Sequence, residues 1–285
     1  MLFGVTRQAY YQNYWAVEES SFEHQLIIDE VFSIRRRHQK IGTRKLYLLL
    51  EPFLLEHQIK IGRDALFNLL ASHHLLVRRR KRKPITTNSC HWLRKYPNLV
   101  KGFIPERPNQ LWVSDMTYWK ISSGFIYLSL ITDAFSHKIV GYRLSETLDA
   151  IEALNALQMA VTKEKPVGLI HHSDRGYQYC WGQYVKLLQD NNILVSMTEN
   201  GDPRENPVAE RINGILKKEY LECYQATNIS EAMHILDRSI ELYNKERPHM
   251  TIENYTPELV HSEVKMTKKL WKNYYKKKYE DDRFS

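Results

Sequence analysis

The chain has 285 residues, of which 43% are hydrophobic and 26% charged, and its formal net charge is +8 at pH 7. This composition is typical of a globular protein, and the length allows one large domain and a smaller one. Without a run of about 18 apolar residues, no membrane span is expected. Three scattered cysteines argue against a disulfide framework or a thiolate zinc site. The start of the chain lacks the apolar stretch of a signal peptide, so we expect an intracellular protein.

The positive charge is concentrated in the first third of the chain. Residues 34–94 contain 15 Lys or Arg and three acidic residues, whereas residues 110–222 contain 11 Lys or Arg and 14 acidic residues. A strongly basic segment predicts a polyanionic partner. Basic regions beside a mildly acidic middle favour a protein that grips nucleic acid while the middle holds metal ions.

Three short helices are predicted near the N-terminus. Apolar residues recur at helical spacing in residues 21–38, 42–50 and 62–75. Pro52 is expected to end the second helix, because proline removes a backbone hydrogen bond inside a helix.

A basic run follows these helices. Short helices followed by a basic arm predict a helix-turn-helix-like DNA-binding region over residues 1–84, and the alternative is a plain helical bundle with a solvated basic face. Residues 85–107, with several prolines and few periodic apolar positions, are interpreted as a linker. The predicted DNA-binding residues of the basic run are Arg78, Arg79, Arg80, Lys81, Arg82 and Lys83.

From residue 108 the pattern changes to strands. β-rich runs at 111–119, 125–132 and 138–145 predict an antiparallel meander of three strands. Next come a helical run, a strand at 167–171, a second helix, a strand at 193–197 and a helix that opens at Asn206-Pro207. Three strands followed by alternating helices and strands is the order of an α/β ribonuclease-H-like fold, which we assign to residues 108–262 together with a C-terminal helix.

Three carboxylates occupy separate elements of this predicted fold. Asp115 lies within the first strand, Asp174 follows the fourth, and Glu210 lies in the last helix, with 35 residues between it and Asp174. Three acids on separate elements are what a two-metal phosphoryl-transfer site needs, and oxygen ligands suit Mg²⁺. Each acid also has a simpler interpretation: a paired buried aspartate, a turn residue and an exposed helix acid.

Other polar residues have weaker signals. Lys217 lies seven residues after Glu210, which places it on the same face of a regular helix, where it can contact a DNA phosphate or simply lie on the surface. His171 and His172 lack further ligands at zinc spacing, so zinc is not expected. We favour a structural role for Asp133.

The C-terminal segment is basic and aromatic. Residues 263–285 include KMTKKLWKNYYKKKY, in which seven lysines alternate with Trp and Tyr. Lysines neutralise phosphates and aromatic rings stack on bases, so this tail is either a DNA contact or a solvated extension.

The motifs together resemble a known family. WVSDMTYW, TDAFSHKIVGY, HHSDRGYQY, ENPVAERINGILKKEY and YNKERPHMTIENYTPEL are similar to the integrase-core (DDE) transposases of bacterial insertion sequences, in particular the OrfB type of the IS-three family. The resemblance extends through nearly the whole chain and includes the upstream helix-turn-helix segment. It implies a fold like the retroviral integrase core.

The resemblance also implies residue roles. Asp115, Asp174 and Glu210 match the catalytic, metal-binding triad of the family, and Lys217 matches its basic residue. Two Mg²⁺ ions, for which Mn²⁺ can substitute, are the implied cofactors. The YNxxRPH signature matches as well, and its role is left open between structure and chemistry: Tyr243, Asn244, Arg247, Pro248 and His249.

The function implied is metal-dependent cleavage at the 3′ end of the element and strand transfer, which is DNA integration and recombination. The expected partners are double-stranded DNA, as terminal repeats and target, further copies of the chain, and an upstream-frame product or fusion; no membrane is expected. The expected location is the bacterial cytoplasm, associated with the nucleoid. Two alternatives are a ribonuclease-H-like nuclease without joining and a non-catalytic DNA-binding inhibitor of the full-length transposase.

Overall fold

The computed structural model describes residues 7–77, 92–199 and 205–263, with the backbone alone for residues 7–21. The chain divides into two compact units, residues 1–82 and 83–285. Each unit has its own hydrophobic core.

The N-terminal unit is helical. It contains α1 (Arg7–Arg37), α2 (Thr43–Glu56) and α3 (Arg63–Ser72), so the predicted helices are confirmed, although α1 begins earlier than expected. The residues before α2 and α3, Gly42 and Gly62, are both extended. Each follows an isoleucine, and the first buried leucine comes four residues after the glycine, the spacing of a hydrophobic staple that fixes where a helix starts.

The expectation that Pro52 ends the second helix is wrong. Pro52 lies inside α2, which continues to Glu56. A proline in a helix interior costs about 3 kcal/mol, because it removes one hydrogen bond and its ring crowds the preceding turn. Leu50 and Leu54 flank Pro52 and are both buried in the core of this unit. Their burial offsets the local cost, so packing decides the end of the helix.

The second unit is built on one five-stranded sheet. The strands lie in the order β3-β2-β1-β4-β5. The first three pair antiparallel, whereas β4 pairs parallel to β1 and β5 pairs parallel to β4. The predicted meander and the predicted strand order are therefore confirmed. The strands are β1 (Leu111–Ile121), β2 (Gly124–Asp133), β3 (Ile139–Ser145), β4 (Ile170–Ser173) and β5 (Leu194–Met197).

Helices pack on the sheet through two hydrophobic clusters. The long strand β1 contributes Trp119 to one cluster and Trp112 to the other. Gly141 on β3 lets α4 approach closely, because a side chain there would collide with the Ala156 carbonyl. The helices are α4 (Ala150–Glu164), α5 (Tyr177–Cys180), α6 (Gly182–Asp190), α7 (Pro207–Ile215), α8 (Ile229–Lys245) and α9 (Pro257–Glu263), with a π-helical turn at Leu216–Tyr220 and 3-10 turns at Leu221–Cys223 and Met250–Ile252.

Two segments differ from expectation. The strand predicted at 167–171 begins only at Ile170, because the chain turns through positive φ at Lys165 and Gly168. The described part of the predicted linker is irregular, as expected, but it lies against the sheet: Leu99 N donates to Ser196 Oγ at 2.9 Å and Met197 N donates to the Pro97 carbonyl at 3.3 Å. This segment therefore lines β5.

Within the residues the structure describes, none of the helices combines the length and the apolar character that crossing a membrane requires.

Candidate active site

Asp115 and Asp174 occupy equivalent positions on adjacent strands. The parallel register of β1 and β4 ends at the pair Ser114 and Ser173. Asp115 follows Ser114 and Asp174 follows Ser173 along the backbone, and neighbouring strands lie about 4.8 Å apart. The sheet therefore brings together two carboxylates that are 59 positions apart in the numbering of the chain.

Charge repulsion marks this pair. Burial, followed by the negative charge of Asp174 and, more weakly, that of Glu210, raises the pKa of Asp115 to about 7. Two hydrogen bonds oppose this shift, one from the Asn213 side chain and one from the Met116 backbone. Among the described residues, the charged groups that shift the pKa of Asp115 are therefore both negative.

The exit from β4 shapes the position of Asp174. The Gly176 amide donates to Asp174 Oδ1 at 2.9 Å. A Cβ atom at position 176 would lie 2.9 Å from that oxygen, so a larger residue would force one of the two groups to move. Gly176 therefore allows a tight exit from β4 beside Asp174.

Two asparagines attach the Glu210 helix to β1. Pro207 is the first residue of α7 and Glu210 lies in its first turn, as predicted. Asn206, immediately before the helix, donates through Nδ2 to the Ser114 carbonyl at 2.8 Å. Asn213, one turn after Glu210, donates through Nδ2 to Asp115 Oδ2 at 2.7 Å. Glu210 is exposed between these two attachments, on the helix that packs against β1.

Sequence reasoning missed both asparagines. Asn213 had a usable signal, because it lies three residues after Glu210 and therefore on the same side of the helix. Asn206 had been noted only as a helix start. Its Oδ1 is buried and has no hydrogen-bond partner in the described part of the chain.

Lys217 does not continue a regular helix from Glu210. The α-helix ends at Ile215, and Lys217 lies in the π-helical turn that follows. The Lys217 ammonium lies 3.7 Å from the centre of the Tyr118 ring, which is on β1. Its position is therefore set by that turn and not by the 3.6-residue repeat.

The two histidines of the HHSD motif are held by hydrogen bonds. His171 Nε2 pairs with Ser114 Oγ at 2.7 Å and with the Tyr184 hydroxyl at 3.0 Å. Burial lowers the pKa of His171 to about 3. His172 pairs with Ser196 Oγ at 2.9 Å and with the Glu205 carbonyl at 3.2 Å, just before α7. Both side chains thus connect neighbouring elements beside the carboxylates.

No three His, Cys, Asp or Glu side chains among residues 7–77, 92–199 and 205–263 are grouped closely enough to form a ready-made metal cage. The basic run with Arg78, Arg79, Arg80, Lys81, Arg82 and Lys83, and the tail from residue 264 onward, lie outside the described residues.

The sheet order and the paired aspartates define the class of the second unit. A family model described as integrase core domain matches residues 105–203, and a second model with the same description matches residues 191–257. A chain of the simian T-cell lymphotropic virus intasome, solved by cryoEM in complex with the PP2A regulatory subunit B56 gamma, superposes with a TM-score of 0.50 at 18% identity, covering 82% of this chain and 75% of that one. The fold is therefore that of an integrase core, and the predicted ribonuclease-H-like class is confirmed.

The family follows from the sequence relatives. The chain is 36% identical over 261 residues to the IS600 uncharacterized 31 kDa protein of Shigella sonnei, which covers 90% of this chain and 94% of the relative. It is 33% identical over 210 residues to the transposase for insertion sequence element IS629 of Shigella sonnei, covering 74% and 70%. The chain belongs to the integrase-core transposases of insertion sequences, of the IS-three family, as its motifs predicted.

Proposed function

We propose that this transposase cuts and joins DNA by phosphoryl transfer, with Asp115, Asp174 and Glu210 as its catalytic carboxylates. The observation that carries the proposal is the strand register, which places Asp115 and Asp174 side by side. The two asparagine attachments of α7, to Ser114 and Asp115, then bring Glu210 close to the same part of β1.

The donor chemistry suits hard divalent cations. Carboxylate oxygens are the ligands that Mg²⁺ and Mn²⁺ prefer, and the site also contains the buried Oδ1 of Asn206, for which the described residues supply no hydrogen-bond partner. Repulsion among the acids is what a bound cation would relieve, and the exposed side chain of Glu210 can change rotamer toward Asp115. We propose that the three acids hold two Mg²⁺ ions, replaceable by Mn²⁺. When bound, such ions would activate the attacking oxygen and stabilise the leaving one.

The protein residues position the reacting groups. Asp115 and Asp174 are fixed by the sheet, and Asn213 orients the Asp115 carboxylate. The attacking group would be water in the cleavage step and the 3′-hydroxyl of the cut strand in the joining step. Both are oxygen nucleophiles, so one site would serve both cleavage and strand transfer. In-line phosphoryl transfer depends mainly on such positioning and on charge stabilisation.

Cationic residues would hold the DNA. Lys217 is proposed to contact a phosphate near the cut, and Arg78 to Lys83 to contact the backbone outside it. The helix-turn-helix-like unit, 1–84, would bind the terminal repeats, and the segments 85–107 and 263–285 would act as a linker and a second DNA contact. Work on two DNA ends favours a homo-oligomer on DNA, and an upstream-frame product or fusion would complete end recognition.

The test is a strand-transfer assay with purified protein, Mg²⁺ or Mn²⁺, and a labelled duplex that carries the terminal repeat. We expect joined products, and we expect Asp115→Asn, Asp174→Asn and Glu210→Gln each to abolish cleavage and joining while DNA binding persists. Asp190→Asn, an exposed acid at the end of α6, is the matched control and should stay active.

The other outcomes identify the alternatives. Cleavage without joining of a pre-cut end would indicate a nuclease. DNA binding with no reaction, even when the upstream frame is fused, would indicate a non-catalytic inhibitor. Full activity in any triad variant would refute the role of that residue. Neutralising Arg78 to Arg82 should weaken DNA binding and flatten its salt dependence, and an unchanged slope would exclude that contact.

A further inference from the structure

The YNxxRPH segment forms a buried ion pair with the turn that follows α7. Arg247 donates through Nε to Glu219 Oε2 and through Nη2 to Glu219 Oε1, both at 2.8 Å. The Arg247 side chain is 1% exposed and that of Glu219 is 19% exposed. The pair is therefore a two-pronged contact that is largely removed from water, the geometry in which guanidinium and carboxylate match best.

Glu219 belongs to the π-helical turn, residues 216–220. At its end the Leu221 amide donates to the Leu216 carbonyl, five residues back, as well as to that of Lys217. Such turns are wider than an α-helix, are rare, and occur mostly where surrounding contacts or function demand them. Lys217 lies in the same turn, two residues before Glu219, with its ammonium against the Tyr118 ring.

The other side of the ion pair is anchored to the sheet. Asn244 lies near the end of α8. Its Oδ1 accepts a hydrogen bond from the Ile139 amide and its Nδ2 donates one to the Ile139 carbonyl, both at 3.0 Å. The Tyr243 hydroxyl donates to the His137 carbonyl at 3.0 Å, just before β3. Arg247 therefore extends from a helix end that is fixed to β3 and reaches the turn that carries Lys217.

The buried ion pair is better explained by the geometry it fixes than by the stability it adds. Removing two charges from water is unfavourable, and well-packed apolar residues in their place are often equally stabilising. A two-pronged pair does, however, define both distance and direction. An irregular turn whose lysine must face one point on β1 needs that definition.

We propose that Arg247 is a positioning residue, which acts through Glu219 to fix the π-helical turn and thereby holds Lys217 beside β1 for contact with the DNA phosphate. This inference rests on the proposed function of Lys217. It assigns the YNxxRPH arginine to substrate alignment, at a distance from the reacting atoms.

The test is a double-mutant cycle of Arg247→Lys and Lys217→Ala. Arg247→Lys keeps the charge and removes the fork. We expect it to slow strand transfer about 10- to 100-fold, since a misplacement of about 1 Å can cost that much. The slope of log binding constant against log salt should fall by about 0.9, the loss of one phosphate contact. Lys217→Ala should show the same change, and the double variant should be no worse than Lys217→Ala alone.

Controls separate alignment from folding. Lys245→Ala breaks an exposed pair with Glu241 on the same helix and should change neither rate nor slope. If Arg247→Lys lowers the melting temperature, the near-isosteric Glu219→Gln is used for the same cycle. Additive effects of either variant with Lys217→Ala, or an unchanged salt slope, would overturn the inference. Failure of the wild type to cut or join would count against the proposed function alone, because the slope cycle needs no catalysis.

Discussion

Two aspartates on neighbouring strands show how differently one side chain can be buried. Asp133, at the end of β2, is 0% exposed and accepts hydrogen bonds from the Asn109 amide, the Ser136 amide and the Ser136 hydroxyl, each at 2.7 Å. Asp115, on β1, receives the Asn213 amide but faces Asp174 and Glu210. Asp133 has the donors that a buried carboxylate needs, whereas Asp115 has like charges.

The hydrogen-bond partners of a buried acid distinguish a structural role from a catalytic one. Burying a charge is unfavourable unless hydrogen bonds or opposite charges compensate for it. Asp133 meets that condition and fixes the turn between β2 and β3, in agreement with the structural role favoured from the sequence. A residue that breaks the rule is expected where function demands it. The like charges around Asp115 therefore support its proposed catalytic role more strongly than its burial alone would.

The largest effect should come from removing the charge of Asp115. In metal-free buffer we expect Asp115→Asn to be at least as stable as the wild type, because a repelled negative charge is lost while Asn213 keeps an oxygen acceptor. Added Mg²⁺ should raise the melting temperature of the wild type, since binding to the folded state stabilises it, and leave the variant unchanged. Thermal denaturation with and without Mg²⁺ measures this. A strongly destabilised variant would show that Asp115 is a structural residue like Asp133.

Asp133→Asn should do the reverse. The NH₂ group of the amide would replace one carboxylate oxygen and face either the Asn109 amide or the Ser136 donors. An unsatisfied buried donor costs about 1–3 kcal/mol. Urea unfolding should show that loss, while the activity per folded molecule and the Mg²⁺ shift remain. Equal stability together with lost activity would break the distinction between the two aspartates.

Asn213→Ala removes the side-chain hydrogen bond that orients the Asp115 carboxylate. Loss of a partner that orients a metal ligand typically weakens metal affinity or activity about 10- to 100-fold. The Mg²⁺ concentration for half-maximal strand transfer should therefore rise. Asn191→Ala, which removes a side-chain contact at the end of α6, is the matched control. An unchanged Mg²⁺ requirement would mean that Asn213 serves only to attach α7.

His171 extends the comparison to a neutral group with satisfied hydrogen bonds. Burial lowers its pKa from 6.5 to about 3. The unfolded chain therefore binds a proton below pH 6.5 that the folded chain does not, and stability falls as the pH drops from 6.5 toward 3. The slope is at most about 1.4 kcal/mol per pH unit. Urea unfolding at pH 7 and pH 5 should show a smaller decrease in His171→Gln, and an identical decrease would exclude this group as the source.

Patterns that repeat along the chain predicted the fold. Alternating residues predicted the meander and the element order, and the motifs placed Asp115 within the first strand and Asp174 just after the fourth, where the structure has them. Three features needed three-dimensional contacts: Pro52 is tolerated because leucines on both sides are buried, the π-helical turn interrupts a sequence that has regular helical spacing, and Glu219 pairs with Arg247 across 28 positions. Local propensity carries no information about such distant partners.

Other parts of the chain occupy positions at both borders of the sheet. At one border, residues 97–99 hydrogen-bond to Ser196 and Met197, and at the other Asn244 occupies both polar groups of Ile139 like a short piece of neighbouring strand. Unpaired strand borders recruit other chains and seed fibres. The backbone is engaged at Met197 and Ile139, and the side-chain hydroxyl is engaged at Ser196. Copies gathered on one DNA molecule, as proposed, would therefore meet these border positions already occupied, which disfavours merging of their sheets there.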